Sequence, residues 1–394
     1  MEQLRIAMIL STKFPTIKAY GVTTRETAKV LISKSHNVKI FCLHGDYTDS
    51  DFEKLSTNVQ FFDQNTFNKN LIKYGEKGSK IRHKLSWLIG TILNLFNNFF
   101  YIKNFKPNII WTREPIVAYF FSRKIPKVEI ILEVHSDNSK FFYQRLLNLT
   151  DRVYFFPINI ANEKFLKNMK FNLKTTLAPM GISQEILATK DTVDQLLQSL
   201  KSRSNSKLNI GYVGKLAPQG YSKGFEDLIV LAKLYQNKQI DHRITIVGCT
   251  PSEKKHYEAL RLKLKIQTDS LEFKSHISHS EAIKIMKSFD ILILPMPKDA
   301  QYLGMPLKLL EYLAVGRITI VAESPLIKDV FTKEFQPYYY PKNSSIGLFN
   351  SINFALNDVH LKKQILLGIR FASTYTWESR VTNVLNIVLS EKIK

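Results

Sequence analysis

Short apolar runs rich in Val, Ile and aromatic residues alternate with amphipathic, helix-like stretches along nearly the whole chain. Strands that are apolar on both faces and separated by helices are typical of parallel sheets covered by helices on both sides. The runs form two series, which predicts an α/β chain with two doubly wound domains. The first series is RIAMIL, NVKIFCL, PNIIWT, VEIILEVH and RVYFFP, and the second is LNIGYVG, RITIVG, LEFKS, FDILILP and RITIVAE.

The length of 394 residues agrees with two domains, since one domain commonly takes about 150 residues. We place the boundary between TTLAPMGIS and LNIGYVG, where the chain becomes polar and rich in Lys, Gln, Ser and Asn. The last stretch has apolar residues at helical spacing and is predicted to be an amphipathic helix. The predicted segments are a first Rossmann-like domain at 1–187, a linker at 188–207, a second Rossmann-like domain at 208–372 and a C-terminal helix at 373–394.

Cysteine content and charge restrict the setting of the protein. The two cysteines, Cys42 and Cys249, do not make a disulfide scaffold, which favours a reducing cytoplasm. The N-terminal residues lack the long apolar region of a signal peptide, and we interpret them as a first strand. The formal net charge of +22 has two interpretations, attraction to an anionic partner or the coding bias of an AT-rich genome.

One segment, residues 69–84, is strongly basic and has a single acid, Glu76. The apolar stretch LSWLIGTILNLFNNFFYI follows it and is too polar to span a membrane. Together they predict contact with an anionic membrane surface. The alternative is a solvated loop followed by a core helix. We assign the membrane contact to Lys69, Lys73, Lys77 and Lys80, and one apolar helix face to Leu85, Leu88, Ile92, Phe96 and Phe99.

The stretch GYVGKLAPQGYSKGFEDL reads as a strand, a loop and the start of a helix. Gly214 allows a tight turn after the strand, and Lys215 and Lys223 flank the loop. Two ammonium groups beside a helix N-terminus suit a diphosphate, because its charge is neutralised and free backbone N–H groups add hydrogen bonds. The alternative is that both lysines are ordinary surface residues.

Several polar residues follow strands of the first series. Gly21 lies in the loop after the first strand, at the edge of the sheet where open α/β folds bind ligands. Arg113, Glu114, His135 and Asp137 follow two further strands and are expected at the same edge, as sugar or acceptor contacts. His135 has the chemistry to hydrogen-bond a sugar hydroxyl or to transfer a proton, and a purely structural histidine is the alternative.

The stretch GMPLKLLEYLAVG places a carboxylate, Glu311, in an apolar helix. A buried carboxylate is costly unless it is paired, and one near the sheet edge could accept two hydrogen bonds from a vicinal diol such as a ribose. The alternative is an ion pair with Lys308 within the helix. The loop before it is expected to present amides to a ligand, from Gly304, Met305, Pro306 and Leu307.

Taken together, these stretches resemble the retaining glycosyltransferases of family 4, which have the GT-B fold. PMGIS is similar to the family's Pro-Asn-Gly-Val-Asp, and GMPLKLLEYLAVG is close to its Glu-Gly-x-x-x-x-x-x-Glu signature. The order of the motifs matches over nearly the whole chain. The resemblance implies two Rossmann-like domains facing a central cleft, the first on the acceptor side and the second on the donor side, with the final helix returning to the first.

The resemblance also implies roles for individual residues. Lys215 and Lys223 would hold the nucleotide diphosphate and assist catalysis, and Glu311 would bind the ribose. His135 would face the transferred sugar. The remaining donor contacts would come from the glycine and amide loops at Gly21, Gly214, Gly304, Met305, Pro306 and Leu307.

The sequence departs from the family pattern at three places. The first signature glutamate is replaced by Leu303, although some members with PLKLxEY also lack it. Asp299 is a candidate substitute for the missing carboxylate. The proline that usually follows Gly316 is replaced by RI, and the loop at Gly21 has one glycine where two are common.

These observations predict a cytoplasmic glycosyltransferase with peripheral contact at the inner face of the plasma membrane. It would move a sugar, with retention, from a nucleotide sugar to a glycan or lipid-linked acceptor in surface polysaccharide biosynthesis. No set of His and Cys residues has metal-ligand spacing, so we expect no metal and no cofactor besides the donor. The alternatives are a nucleotide-sugar 2-epimerase and a non-catalytic polyanion-binding or scaffold protein. Nucleic acid is not expected as a partner, because the basic residues lack interleaved aromatics.

Overall fold

In the computed structural model, the chain forms two compact units. Unit 1 consists of Met1–Met180 and Trp377–Lys394, and unit 2 consists of Gly181–Thr376. The residues that the structure describes are 3–16, 19–45, 50–61, 80–135, 140–147, 151–169, 175–202, 207–216, 224–296, 307–328, 330–331 and 334–391.

The described part of unit 1 contains a six-stranded sheet in which every pair of neighbouring strands is parallel. Its strands are β1 (Arg5–Phe14), β2 (Asn37–His44), β3 (Val59–Phe61), β4 (Ile109–Thr112), β5 (Glu129–Val134) and β6 (Val153–Pro157). The spatial order is β3-β2-β1-β4-β5-β6. This order reverses direction between β1 and β4, and ligands bind at the carboxyl edge beside such a reversal in doubly wound sheets.

Helices cover both faces of this sheet. Alternate residues of β1 explain why, since Ile6 and Met8 pack into one core cluster while Ala7 and Ile9 pack into another. The helices of unit 1 are α1 (Ala19–Ser33), α2 (Ser50–Leu55), α3 (Lys80–Phe105), α4 (Pro115–Lys124), α5 (Lys140–Leu147) and α6 (Ile160–Asn168). The C-terminal helix α15 (Trp377–Glu391) packs its apolar face, including Val384, into the same cluster as Ile6.

Unit 2 repeats this arrangement in its described residues. Its strands are β7 (Leu208–Val213), β8 (His242–Cys249), β9 (Leu271–Ser275), β10 (Ile291–Leu294), β11 (Ile318–Ala322) and β12 (Tyr338–Tyr340). They form a second parallel sheet in the order β12-β11-β10-β7-β8-β9. Read from β9, this is the same order as in unit 1, with the reversal between β7 and β10. The predicted α/β fold class with two doubly wound sheets is therefore confirmed.

The described residues of unit 2 also form eight α-helices. They are α7 (Lys190–Lys201), α8 (Glu226–Asn237), α9 (Pro251–Lys263), α10 (His279–Ser288), α11 (Leu307–Ala314), α12 (Pro325–Lys328), α13 (Ser345–Asn357) and α14 (Leu361–Ser373). Helix α7 lies within the stretch 188–207 that the sequence analysis assigned to a linker. Its Val193 and Leu196 are buried in the unit 2 core, so this polar stretch has an apolar side.

Helix α3 has a broader apolar surface than the core can cover. Leu88, Ile92 and Phe99 pack against the unit 1 core. Leu85 and Phe96, which the sequence analysis placed on the same face, are 56% and 53% exposed. The predicted apolar face is therefore partly covered by the core and partly exposed to solvent. No helix in the described residues combines the length and apolarity needed to cross a membrane.

Candidate active site

The carboxyl end of β7 in unit 2 is held in place by α11. The hydroxyl of buried Tyr312 accepts a hydrogen bond from the Val213 amide at 2.8 Å and donates one to the Val213 carbonyl at 3.1 Å. Gly248 has a φ of +114°, and a Cβ there would lie 2.2 Å from the Gly214 carbonyl oxygen. Glycine at 248 therefore allows the end of β8 to approach the turn after β7 closely.

Lys215 follows this turn with an exposed side chain. Its carbonyl accepts a hydrogen bond from the Tyr212 hydroxyl at 2.8 Å, so its backbone is fixed while the ammonium group is open to solvent. The structure thus places Gly214 and Lys215 at the predicted edge of the sheet. Lys223 lies outside the described residues.

Glu311 is at the centre of what we call the unit 2 cluster, which comprises Glu311, His279 and Lys308. Glu311 is 3% exposed. Its Oε1 lies 2.9 Å from Nε2 of His279, and its Oε2 lies 2.7 Å from Nζ of Lys308. Burial acts to raise the pKa of Glu311, but Lys308 and His279 outweigh it and lower the pKa to about 2. The carboxylate is therefore ionised at neutral pH.

The ion pair with Lys308, which the sequence analysis kept as an alternative, is present. It leaves some acceptor capacity unused, because a carboxylate oxygen can accept two hydrogen bonds and the buried Oε2 has only Lys308 beside it among the described residues. Leu307, a predicted donor contact, is the first residue of α11 and packs partly on the unit 2 core. Five residues of the predicted loop lie outside the described part, namely Asp299, Leu303, Gly304, Met305 and Pro306.

Sequence reasoning missed His279. It is the first residue of α10, and Ser278 and Glu281 form a capping box that fixes the start of this helix just after β9. The Ser-x-x-Glu pattern in the sequence was the available signal, since it places His279 at the carboxyl edge of the sheet. The long-range pairing with α11 could not be read from sequence spacing.

Unit 1 has a comparable arrangement, the unit 1 cluster of Glu133, His135, Trp111 and Arg380. Oε2 of Glu133 lies 3.0 Å from Nε2 of His135. Oε1 accepts a hydrogen bond from Nε1 of Trp111 at 2.9 Å and is ion-paired with Nη2 of Arg380 at 2.8 Å. Burial acts to raise the pKa of Glu133, but Arg380 chiefly, with His135 and Trp111, holds it well below its ordinary value.

The other predicted residues of unit 1 contact residues outside the unit 1 cluster. The Arg113 guanidinium lies over the Tyr20 ring at 4.7 Å. Gly21 lies in the first turn of α1, which begins at Ala19, so it is not the loop residue that the sequence analysis expected. A Cβ at Gly21 would lie 2.3 Å from the Thr16 carbonyl oxygen, which explains the glycine by packing. Asp137 lies outside the described residues.

Glu114 is buried at the end of β4 and precedes α4. Its Oε2 accepts hydrogen bonds from the Ser11 amide at 3.2 Å and from the Thr112 hydroxyl at 3.3 Å. Burial raises the pKa of Glu114, although Arg113 and these donors oppose the change. This carboxyl group joins the ends of β1 and β4, and its exposure of 6% leaves little surface for the sugar contact suggested by the sequence.

The arrangement can hold charge and orient polar groups. Each unit presents an ionised glutamate with a histidine at the carboxyl edge of its sheet, and unit 2 adds the exposed Lys215. Within the described ranges, no group of three or more His, Cys, Asp or Glu residues could hold a metal ion. The expectation of metal-independent chemistry stays a prediction.

The fold is that of the GT-B glycosyltransferases. Several solved structures are similar to this chain over all or nearly all of its length. A glycosyltransferase from Rickettsia africae ESF-5 has 14% identity and a TM-score of 0.67, with 100% of both chains covered. Anabaena Alr3699/HepE in complex with UDP-glucose has 12% identity and a TM-score of 0.65, covering 98% of this chain and 100% of that one. The lipopolysaccharide outer core galactosyltransferase WaaB has 15% identity and a TM-score of 0.62, with 98% and 100% covered.

The family comparison is confined to unit 2. Residues 195–365 match the family described as Glycosyl transferases group 1. This segment includes Lys215 and the whole unit 2 cluster. No match was found among the curated proteins.

Proposed function

We propose that this protein is a retaining glycosyltransferase that takes its sugar from a nucleotide diphosphate donor. One observation carries the proposal. Glu311 is ionised and buried at the carboxyl edge of unit 2, and each of its oxygens has one partner among the described residues, His279 or Lys308. A carboxylate oxygen can accept two hydrogen bonds, and a ribose diol is a suitable further donor. The match of residues 195–365 to group 1 glycosyl transferases supports this interpretation.

Solvent access to the partners of Glu311 supports a ligand-binding role. The side chains of His279 and Lys308 are 35% and 27% exposed. Both can therefore be solvated while Glu311 accepts hydrogen bonds from another group. An acceptor with two oxygens suits the two adjacent hydroxyls of a ribose.

The chemistry that we propose depends on stabilising the leaving group. Negative charge grows on the nucleotide diphosphate as its bond to the sugar breaks, and fixed positive charge lowers the energy of that state. Lys215 supplies such a charge at the end of β7, and we assign the same role to Lys223 from the sequence. His135 would orient the transferred sugar, and the reaction would proceed without a metal ion.

We further propose that the acceptor is a glycan or a lipid-linked glycan in surface polysaccharide assembly. The fold neighbours include a lipopolysaccharide galactosyltransferase, and the basic segment 69–84 suits an acceptor at an anionic membrane. Helix α3 adds an exposed apolar surface to this segment. Its residues recur at helical spacing and are Leu85 (56% exposed), Ile89 (39%), Phe96 (53%) and Phe100 (68%).

Nucleotide binding is the first test. A thermal-shift series with UDP, GDP, ADP, CDP and their sugars should show selective stabilisation by one nucleotide, equivalent to about 2.7 kcal/mol at a ligand concentration 100-fold above Kd. Glu311→Ala should weaken this stabilisation. Glu323→Ala, at an exposed glutamate of unit 2, is the matched control. Normal nucleotide binding by Glu311→Ala would show that the ribose role is wrong.

Turnover is the second test. Lys215→Ala should lower the transfer rate by about 100-fold and leave the fold intact, because the ammonium group is exposed. Lys263→Ala, at an exposed lysine in the last turn of α9, is the matched control. Incubation with the nucleotide sugar alone distinguishes the epimerase, since an isomerised donor without transfer to any acceptor would contradict the proposal.

Membrane contact is tested separately with vesicles. Replacing Phe96 and Phe100 by serine, or Lys69, Lys73, Lys77 and Lys80 by glutamine, should release the protein from vesicles containing phosphatidylglycerol. Phe354→Ser is the matched control, because Phe354 is 67% exposed in unit 2. Unchanged co-sedimentation of both variants would contradict membrane contact through α3 and the basic segment.

A further inference from the structure

The unit 1 cluster contains an arginine from the far end of the chain. Arg380 lies in α15, and its side chain is 3% exposed. Its Nε donates to the Ala178 carbonyl at 3.3 Å, and its guanidinium lies over the Trp377 ring at 5.9 Å. Arg380 therefore joins the segment that leaves unit 1 near residue 180 to the segment that re-enters it at residue 377. A buried cation of this kind is costly and needs a paired anion.

That anion is Glu133, and its two oxygens have different partners. Oε1 faces two N–H donors, Nε1 of Trp111 and Nη2 of Arg380. Among the residues that the structure describes, Oε2 has one partner, Nε2 of His135. Because the Trp111 N–H and the Arg380 cation both hold Oε1, the orientation of the carboxylate is fixed, and Oε2 lies against the imidazole.

We propose that Glu133, oriented by Arg380 and Trp111, is a positioning residue that keeps His135 protonated on Nε2 and leaves Nδ1 as the acceptor for a substrate hydroxyl. A carboxylate accepts the N–H of one ring nitrogen and thereby determines the tautomer of a histidine. No hydrogen bond to Nδ1 comes from the described residues, and the His135 side chain is 24% exposed. The substrate part of this proposal rests on the proposed transferase function.

Glu133→Gln gives a sharp test because it changes charge with little change in shape. Trp111 donates to Oε1 and the Arg380 cation is ion-paired with it, so the glutamine would keep its carbonyl oxygen at that position. Its NH2 group would then face Nε2 of His135 as a donor. His135 would have to accept at Nε2 and carry its proton on Nδ1, so the substitution should invert the tautomer.

The tautomer can be measured without any activity. Protein labelled with 15N-histidine would be studied by long-range 1H–15N NMR, with His135→Gln used to assign the signals. Wild type should show Nε2–H, and Glu133→Gln should show Nδ1–H. Glu311→Gln is the matched control, since it should change the signals of His279 and leave those of His135 unaltered. Retention of Nε2–H in Glu133→Gln would overturn the proposal.

Kinetics then separate positioning from a structural role. Glu133→Gln should lower kcat by about 10- to 100-fold, leave the KM for the nucleotide sugar unchanged and leave nucleotide binding intact. An inverted tautomer with wild-type kcat would overturn the role in the reaction. If Glu133→Gln does not fold, Glu133→Asp is the second variant, because its shorter side chain withdraws the carboxylate from His135. It should give a mixture of the two tautomers. A signal from Nε2–H alone would count against the proposal. If the tautomer inverts in Glu133→Gln but the wild-type protein transfers no sugar, the proposed function alone would be refuted.

Discussion

The unit 1 and unit 2 clusters solve the same electrostatic problem in different ways. Each buries a glutamate, pairs it with Nε2 of a histidine at 2.9–3.0 Å and adds one cation at 2.7–2.8 Å. In unit 2 the cation is Lys308, which lies three residues before Glu311 on the same helix. In unit 1 it is Arg380, which lies 247 positions after Glu133 in the sequence (380 − 133) and is almost fully buried.

The difference separates a carboxylate that is held from one that can be released. Lys308 is partly solvated, so Glu311 can exchange this partner for a ligand at modest cost. Arg380 has no comparable access to solvent, since its side chain is 3% exposed, and separating it from Glu133 would leave two buried charges unpaired. Glu311 is therefore suited to binding a ligand, and Glu133 is suited to orienting His135.

The largest effect is expected for Arg380→Met. Removing one partner of a buried ion pair costs about 3–5 kcal/mol, because the remaining charge is left uncompensated. Urea unfolding followed by tryptophan fluorescence reports on unit 1, since the three tryptophans, Trp87, Trp111 and Trp377, all lie in it. The free energy of unfolding should fall by that amount.

A double variant provides the control for this measurement. Arg380→Met combined with Glu133→Leu removes both charges and should recover much of the lost stability, because buried ion pairs can often be replaced by apolar residues of similar volume. Additive losses in the double variant, or a loss under about 1 kcal/mol in Arg380→Met alone, would contradict the interpretation of this pair as a tightly held one.

A smaller effect is expected for Lys308→Met. The free energy of unfolding should fall by about 1–2 kcal/mol, which lies between the values for exposed and buried ion pairs, because water reaches the lysine. Hydrogen exchange of peptides from α11 measures it within unit 2. Lys308→Arg should restore most of the stability, and 1 M salt should narrow the difference between wild type and Lys308→Met. A loss as large as that of Arg380→Met, insensitive to salt, would remove the distinction between the clusters.

Much of the fold could be predicted because it depends on local patterns. The apolar runs indicated most of the strands, and their two series indicated two doubly wound sheets. The position of Glu311 could be predicted as well, since strand, loop and helix follow one another directly in FDILILP and GMPLKLLEYLAVG.

Pairings between distant segments could not be predicted in this way. Arg380 was invisible as a partner of Glu133 because α15 brings it back to unit 1 from the end of the chain. His279 was missed for the same reason, since α10 and α11 are separate helices that come together only when unit 2 folds. Gly21 was assigned to a loop, but α1 begins at Ala19, two residues before it. Sequence motifs thus indicated the strands and several site residues, whereas the charge partners depended on topology.

The smallest effect, and the one with the opposite sign, is expected at Glu114. This third buried carboxyl group has neutral donors, Ser11 and Thr112, where Glu133 and Glu311 have a cation in contact, and burial raises its pKa. Its contribution to stability is therefore full below the ordinary pKa of 4.5 and is lost as the pH rises through the raised pKa. Glu114→Gln cannot ionise, so its stability relative to wild type should increase from pH 5 to pH 8 in urea titrations. For Glu311→Gln the trend is reversed, because a carboxylate with a pKa of about 2 stabilises wild type above pH 4.5 and loses that contribution as the pH falls towards 2. If the difference in the free energy of unfolding between wild type and Glu114→Gln does not change with pH, neutral donors compensate for burial as well as a cation does.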